Sequence, residues 1–129
     1  MKISHRKPEI YESCHKVFGV NWDQGIIITY GDTIYFSEKF SLSPDLEVHE
    51  STHIRQQTEI GKEKWWEKYF EDPKFRLSQE LEAYKNQVNY LRENCSRQYR
   101  RSTERKIYKD MATIYGDMCS EEEARKLLQ

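Results

Sequence analysis

Ser43-Pro44-Asp45-Leu46-Glu47-Val48-His49-Glu50-Ser51-Thr52-His53, closed further on by Gly61, is the stretch around which the chain is organised. Ser43 reads as an N-cap, Pro44 as the first helical position and Asp45 as the acid of the first turn. Glu47 lies near enough to complete the cap, and Gly61 is the matching stop. Inside this predicted helix, His49 and His53 lie about 40° apart at about 100° per residue, so both imidazoles can point a nitrogen at one position. Glu50 is rotated by about 100° from His49, beside that position but not forced into it. Leu46 and Ile60 fall on the same face, which predicts that the histidines point inward.

This is the His-Glu-x-x-His pattern. Neutral imidazoles bind Zn²⁺ and leave a coordination position open, the ion acidifies a water, and a carboxylate takes its proton. A pair of core histidines that satisfy their hydrogen bonds locally, with Glu50 on the surface, is the competing reading.

A catalytic zinc needs a third protein ligand, and Glu80 and Glu82 compete for that role. Leu77, Leu81, Tyr84, Val88 and Leu91 repeat at alternating steps of four and three, predicting an amphipathic helix from about Arg76 to Cys95. Measured from the centre of that stripe, Glu80 falls at about -60° and Glu82 at about 140°. Glu80 borders the buried face and is the expected ligand. Glu82 points away, as an exposed residue or one that supports a ligand.

The residues from about Thr33 to Leu91 resemble the gluzincin branch of the zincin metallopeptidases, especially its smallest members. In that family a β-strand precedes the His-Glu-x-x-His helix, and a second helix supplies a glutamate ligand, commonly in an E-x-x-A-D or similar pattern. Glu80-Leu81-Glu82-Ala83-Tyr84 aligns with it and again selects Glu80. The resemblance implies an α+β, mostly helical, zincin-like core in which a small β-hairpin precedes the two site helices. It implies Zn²⁺ held by His49, His53 and Glu80, Glu50 as catalytic base, and a peptide or protein as substrate. Tyr84 stands where the family often has an Asp that orients a ligand histidine; its hydroxyl could replace that group, or Tyr84 could be core. The likeness also makes Thr33–Ser37 an edge strand for substrate pairing, against the alternative of an ordinary hairpin. A family Tyr or His stabilises the oxyanion, for which Tyr90, Tyr99, Tyr108 and Tyr115 are the candidates.

Outward from these helices, Pro8 to Phe18 reads as a short helix stopped at Gly19. Ile26–Tyr30 and Thr33–Ser37 form a hairpin about Gly31-Asp32. Lys62 to Glu71, with Trp65, Trp66, Tyr69 and Phe70, is a third helix ended by Asp72-Pro73. Thr103 to Tyr115 is another, and Ser120 with Glu123 reads as a capping box for the last. Gln56 and Gln57, near the face of the histidines, could support a ligand or line the cleft, though other polar contacts are the commoner use.

A chain of 129 residues, 36% hydrophobic and 33% charged, is read as one domain over 1–129 whose lean core draws on 9 Tyr, 5 Phe and 3 Trp. A net charge of -1 predicts no general attraction to nucleic acid or to anionic membrane. Arg97, Arg100, Arg101, Arg105 and Lys106, with Tyr99 and Tyr108 interleaved, make a local basic patch: a solvated face, a docking surface for an acidic partner, or a nucleic-acid contact. Cys14, Cys95 and Cys119 form neither a disulfide framework nor a CxxC metal spacing, and the pair Cys14-His15 is too weak to propose a nucleophile. With neither a signal-peptide pattern nor a membrane span, a cytoplasmic location is expected. Two functions of different class follow: a zinc-dependent peptide-bond hydrolase, or a metal-binding module that acts by docking to a protein partner, with a regulatory partner compatible with either.

Overall fold

The computed structural model describes residues 1–116 and 118–129. The chain runs through β1 (Lys2–Ser4), α1 (Tyr11–Phe18), a 3-10 turn at Trp22–Gln24, β2 (Ile28–Tyr30) and β3 (Thr33–Tyr35). The helices α2 (Pro44–Ile60), α3 (Lys62–Glu71), α4 (Pro73–Asn94), α5 (Arg97–Thr113) and α6 (Glu121–Leu128) follow. The architecture is α+β and mostly helical, as expected.

Helix ends follow local chemistry. Gly19 stops α1 in the left-handed region at φ 70° with its N–H on the His15 carbonyl, and Gly61 closes α2 with its N–H on the Gln57 carbonyl. The capping box of α6 forms in both directions: Glu123 N–H donates to Ser120 Oγ at 3.1 Å, and Ser120 N–H donates to Glu123 Oε1 at 3.0 Å. Ser43 stands at the N-cap of α2 but its side chain makes no capping hydrogen bond, so the expected cap with Glu47 is not formed, and three other starts differ from expectation. Pro8 lies ahead of α1 and only closes a turn through its carbonyl to Tyr11 N–H. Asp72-Pro73 is a start as well as a stop, because Asp72 accepts from Lys74 N–H and Pro73 opens α4 a turn before Arg76. Ser96 caps α5 through Tyr99 N–H, so the helix begins at Arg97 and not Thr103.

The sheet corrects the reading of Thr33–Ser37 as an edge. Its order is β1-β3-β2, with β1 parallel and β2 antiparallel to β3, so β3 is central and both its sides are paired. The unexpected strand is β1, three mostly exposed residues with no apolar alternation to announce them. The outer side of β2 is occupied near the helices, where the Thr29 carbonyl accepts from Gln57 Nε2 at 2.8 Å and from Trp66 Nε1 at 3.2 Å. Gln57 Oε1 also accepts from Gly31 N–H at 2.7 Å, so one side chain fastens β2 to α2.

Two hydrophobic clusters flank the polar interior. One joins Tyr84, Val88, Leu91, Ile107, Tyr108 and Met111 with α6; the other joins Tyr11, Trp22, Ile28, Trp65, Trp66 and Tyr69. Between them lies α2, which packs most extensively on α4. Its buried residues are Asp45, His49, Glu50, Thr52, His53, Gln56 and Gln57, all polar. Ile60 is exposed and Leu46 only half-buried, so the histidines face inward on a polar face and not beside an apolar stripe. A helix buried by such a face is stable only where each group finds a partner. No helix among the described residues is long and apolar enough to cross a membrane. The three cysteines are free, and on α5 Arg100 and Lys106 pair with Glu104 and Asp110.

Candidate metal centre

His49 Nε2, His53 Nε2 and Glu80 Oε1 converge on one point. The two nitrogens are 3.2 Å apart, and the carboxylate oxygen stands 3.1 Å from the first and 3.2 Å from the second. All three residues are buried, at 3–5% exposure. Together they form a group able to hold a metal ion.

The hydrogen-bond network decides what occupies the point between them. Gln87 donates through Nε2 to Asp45 Oδ2 at 2.7 Å, which turns its Oε1 toward His49 Nδ1 at 3.0 Å. Gln56 donates through Nε2 to Glu82 Oε1 at 2.8 Å and to the Gln79 carbonyl at 3.1 Å, which turns its Oε1 toward His53 Nδ1 at 2.8 Å. Both histidines must therefore carry hydrogen on Nδ1, leaving both Nε2 lone pairs aimed at each other and at a carboxylate. Three converging acceptors require a cation. An ion about 2.0–2.1 Å from each atom, the distance of Zn²⁺ from nitrogen or carboxylate oxygen, would see them separated by roughly 100°, near the tetrahedral angle.

Without a metal, the cation is a proton. Burial opposes charge on His53, but the Glu80 carboxylate, through its charge and its hydrogen bond, outweighs this and raises the imidazolium pKa to about 9. Burial likewise opposes ionisation of Glu80, yet the His53 charge and hydrogen bonds from both histidines hold it well below the usual carboxylate range. The second Glu80 oxygen, Oε2, accepts from the Tyr69 hydroxyl.

Glu50 is placed differently. Its Oε1 accepts from Thr29 Oγ1 at 2.9 Å, while Oε2 lies 3.8 Å from His49 Nε2, beside the ligand triangle and outside it. Burial, the largest influence, raises its pKa despite the neighbouring histidines. The carboxyl is thus buried, with one oxygen held by β2 and the other free beside the His49/His53/Glu80 group.

A cavity of about 70 Å³ opens beside these groups. At about 10–15 Å³ for each water, it holds a handful of them. Phe18, Val20, Ile26 and Ile28 wall it from the N-terminal segment, Trp65 and Tyr69 from α3, and Ile114 and Tyr115 from the end of α5. Cys14 also lines it, but burial pushes that thiol up to about 12, so it is neutral and no nucleophile.

The structure brings together the four expected site residues, His49, Glu50, His53 and Glu80, and separates Glu82 from them. Glu82 is half-exposed and bonds to Arg55 and Gln56, supporting His53 at one remove. Tyr84 is core: its ring packs on His49 at 4.3 Å, and its hydroxyl shares a hydrogen with Tyr115 at 2.6 Å. Gln87, one turn further along α4, orients His49 in its place. Of the four oxyanion candidates only Tyr115 lines the cavity. Gln87 and Tyr69 were missed, although Gln87 is seven residues from Glu80 and so shares its face of α4. Replacing Gln87 with Leu is expected to weaken zinc affinity by about 10–100-fold, the usual cost of losing a group that orients a ligand, as read by competition with a chromophoric chelator.

No protein-family model matches the chain, and neither does any curated protein or solved structure. The likeness to gluzincins therefore rests on the residues of the site alone.

Proposed function

We propose that the chain is a zinc-dependent peptide-bond hydrolase, with His49, His53 and Glu80 as metal ligands and Glu50 as general base. The observation that carries this reading is the placement of Glu50. A metal site that only braces a fold does not need a buried carboxyl held by Thr29 with its free oxygen 3.8 Å from a ligand nitrogen.

Zn²⁺ bound at this triad supplies an acidified water and a Lewis acid for the scissile carbonyl. Glu50 accepts the proton of the attacking water on Oε2 while Thr29 holds Oε1, and then passes it to the leaving amine. Gln87 and Gln56 keep both imidazoles in the Nδ1–H tautomer. Tyr69 donates to Glu80, so Tyr115, the other phenol of the cavity wall, is assigned to the developing oxyanion, with the Tyr84 hydroxyl donating to it from behind. The apolar walls exclude bulk water, which strengthens each of these interactions.

One observation favours the second reading, a metal-binding module that acts by docking to a protein: the triad is almost fully buried, and its cavity admits waters more readily than a peptide. The two readings separate on activity. For a hydrolase, cleavage of a quenched-fluorescence peptide library is expected to fall to background with 1,10-phenanthroline and to return on adding zinc. Zinc-loaded protein that cleaves nothing in the library would support the docking module.

A further inference from the structure

Arg76 belongs to neither the ligand set nor the acid–base chemistry, yet it is 4% exposed and stands one helical turn before Glu80 on α4. Its Nη1 donates to the Tyr69 carbonyl at 2.6 Å, and its Nη2 donates to the Gly116 carbonyl at 3.3 Å. Its guanidinium carbon lies 5.1 Å from the Phe18 ring centre and 5.9 Å from that of Tyr69. Burying a guanidinium is costly, and one carbonyl at the end of α3 could be capped more cheaply by water.

Tyr69 is what makes the arrangement intelligible. Arg76 holds its backbone carbonyl, Trp65 stacks on its ring at 4.7 Å, and its hydroxyl donates to Glu80 Oε2. With Oε2 engaged, only Oε1 is offered to the point where the two Nε2 atoms converge. Glu80 freed from Tyr69 could turn both oxygens toward an ion and fill the position that a water or substrate needs. Holding α3 at Tyr69 therefore sets the denticity of a ligand carried by α4.

We propose that Arg76 is a positioning residue of the metal centre, acting through Tyr69 to keep Glu80 a one-oxygen ligand. The proposal rests on the reading of His49, His53 and Glu80 as metal ligands, and deepens it. Co²⁺ is a suitable probe, because its visible absorption weakens as coordination number rises from four.

The experiment is a double-mutant cycle on the full chain with Arg76→Lys, Tyr69→Phe and the pair, titrated with Co²⁺ after circular dichroism has established that each is folded. Each single change is expected to weaken Co²⁺ affinity by about 10–100-fold and to lower the visible absorption of the bound ion. The double variant is expected to be no weaker than Tyr69→Phe alone, because both act on one hydrogen bond. Wild-type affinity and spectrum in Arg76→Lys, or losses that multiply in the double variant, would overturn the proposal. If Arg76→Lys does not fold, Tyr69→Phe decides, since an unchanged spectrum there removes the route through which Arg76 is said to act. Failure of the wild-type protein to bind Co²⁺ would instead strike the metal reading itself.

Discussion

Glu50→Gln is expected to leave zinc stoichiometry unchanged while lowering the rate of peptide hydrolysis by about 10²–10⁴-fold, the usual contribution of a positioned general base. The side chain keeps its shape, and its amide oxygen can still accept from Thr29 Oγ1. What is lost is the ability to take a proton beside His49 Nε2. Paired zinc analysis and steady-state kinetics on the same preparations check this. Equal activity in the two proteins would exclude catalysis through Glu50, and loss of zinc would mean that Glu50 is a ligand and not a base.

The second large effect is expected at Glu80. Glu80→Gln should weaken zinc affinity by about 10²–10³-fold, roughly one ligand's share of a binding free energy of about 10–16 kcal/mol, whereas Glu82→Gln should change it far less. The reverse result in a chelator-competition titration would overturn the ligand assignment. The same variant has a signature in pH. In the metal-free protein His53 has a pKa of about 9, above its ordinary 6.5, so the His53–Glu80 pair contributes stability in full below about pH 6.5 and loses it as pH rises through 9. The depressed Glu80 works at the other end, contributing above its ordinary 4.5 and losing that contribution as pH falls toward its lowered value. Zinc must displace the His53 proton, so above pH 6.5 neither the zinc-loaded fold nor the unfolded chain carries it, and the zinc-loaded protein holds its stability over pH 6.5–9, where the metal-free protein loses it. Thermal melts across that range should fall with pH for the metal-free protein and stay nearly flat for the zinc-loaded one, and Glu80→Gln should flatten the metal-free slope.

Much of this centre was legible in the sequence, for a reason that can be stated residue by residue. His49, Glu50 and His53 are local to one helix, whose ends are marked by Ser43-Pro44 and Gly61, so their angular relation is fixed by helix geometry. Glu80 was separable from Glu82 because the apolar stripe of α4 fixes which side of that helix faces inward, and Glu80 proves fully buried while Glu82 does not. Not every supporting residue had such a marker. Gln87 and Tyr69 matter for what they touch on another element, and that depends on how α2, α3 and α4 pack, whereas Gln56, which meets His53 within α2, was marked by its place near the face of the histidines. Ile60 misled for the related reason that the buried face of α2 carries hydrogen bonds where an apolar stripe was expected.

The sheet was the least legible part. Three-residue strands are too short to display alternation, and the partner of β3 on its far side is the polar segment Lys2–Ser4. Placing β3 at the centre removes the pairing edge proposed for Thr33–Ser37. Under the proposed function, a substrate would reach Glu50 through the cavity walled by the N-terminal segment and by Ile114 and Tyr115.

The metal centre is built on three acceptor atoms converging within 3.2 Å, a group able to hold a metal ion. Isothermal titration of metal-free protein with zinc, run in two buffers of different ionisation enthalpy, tests that most directly. The expected result is one zinc per chain, with about one proton released at pH 7 because His53 gives up its hydrogen, and loss of the binding isotherm in His53→Ala. Binding that survives in His53→Ala, or no zinc bound by the wild-type chain, would contradict it.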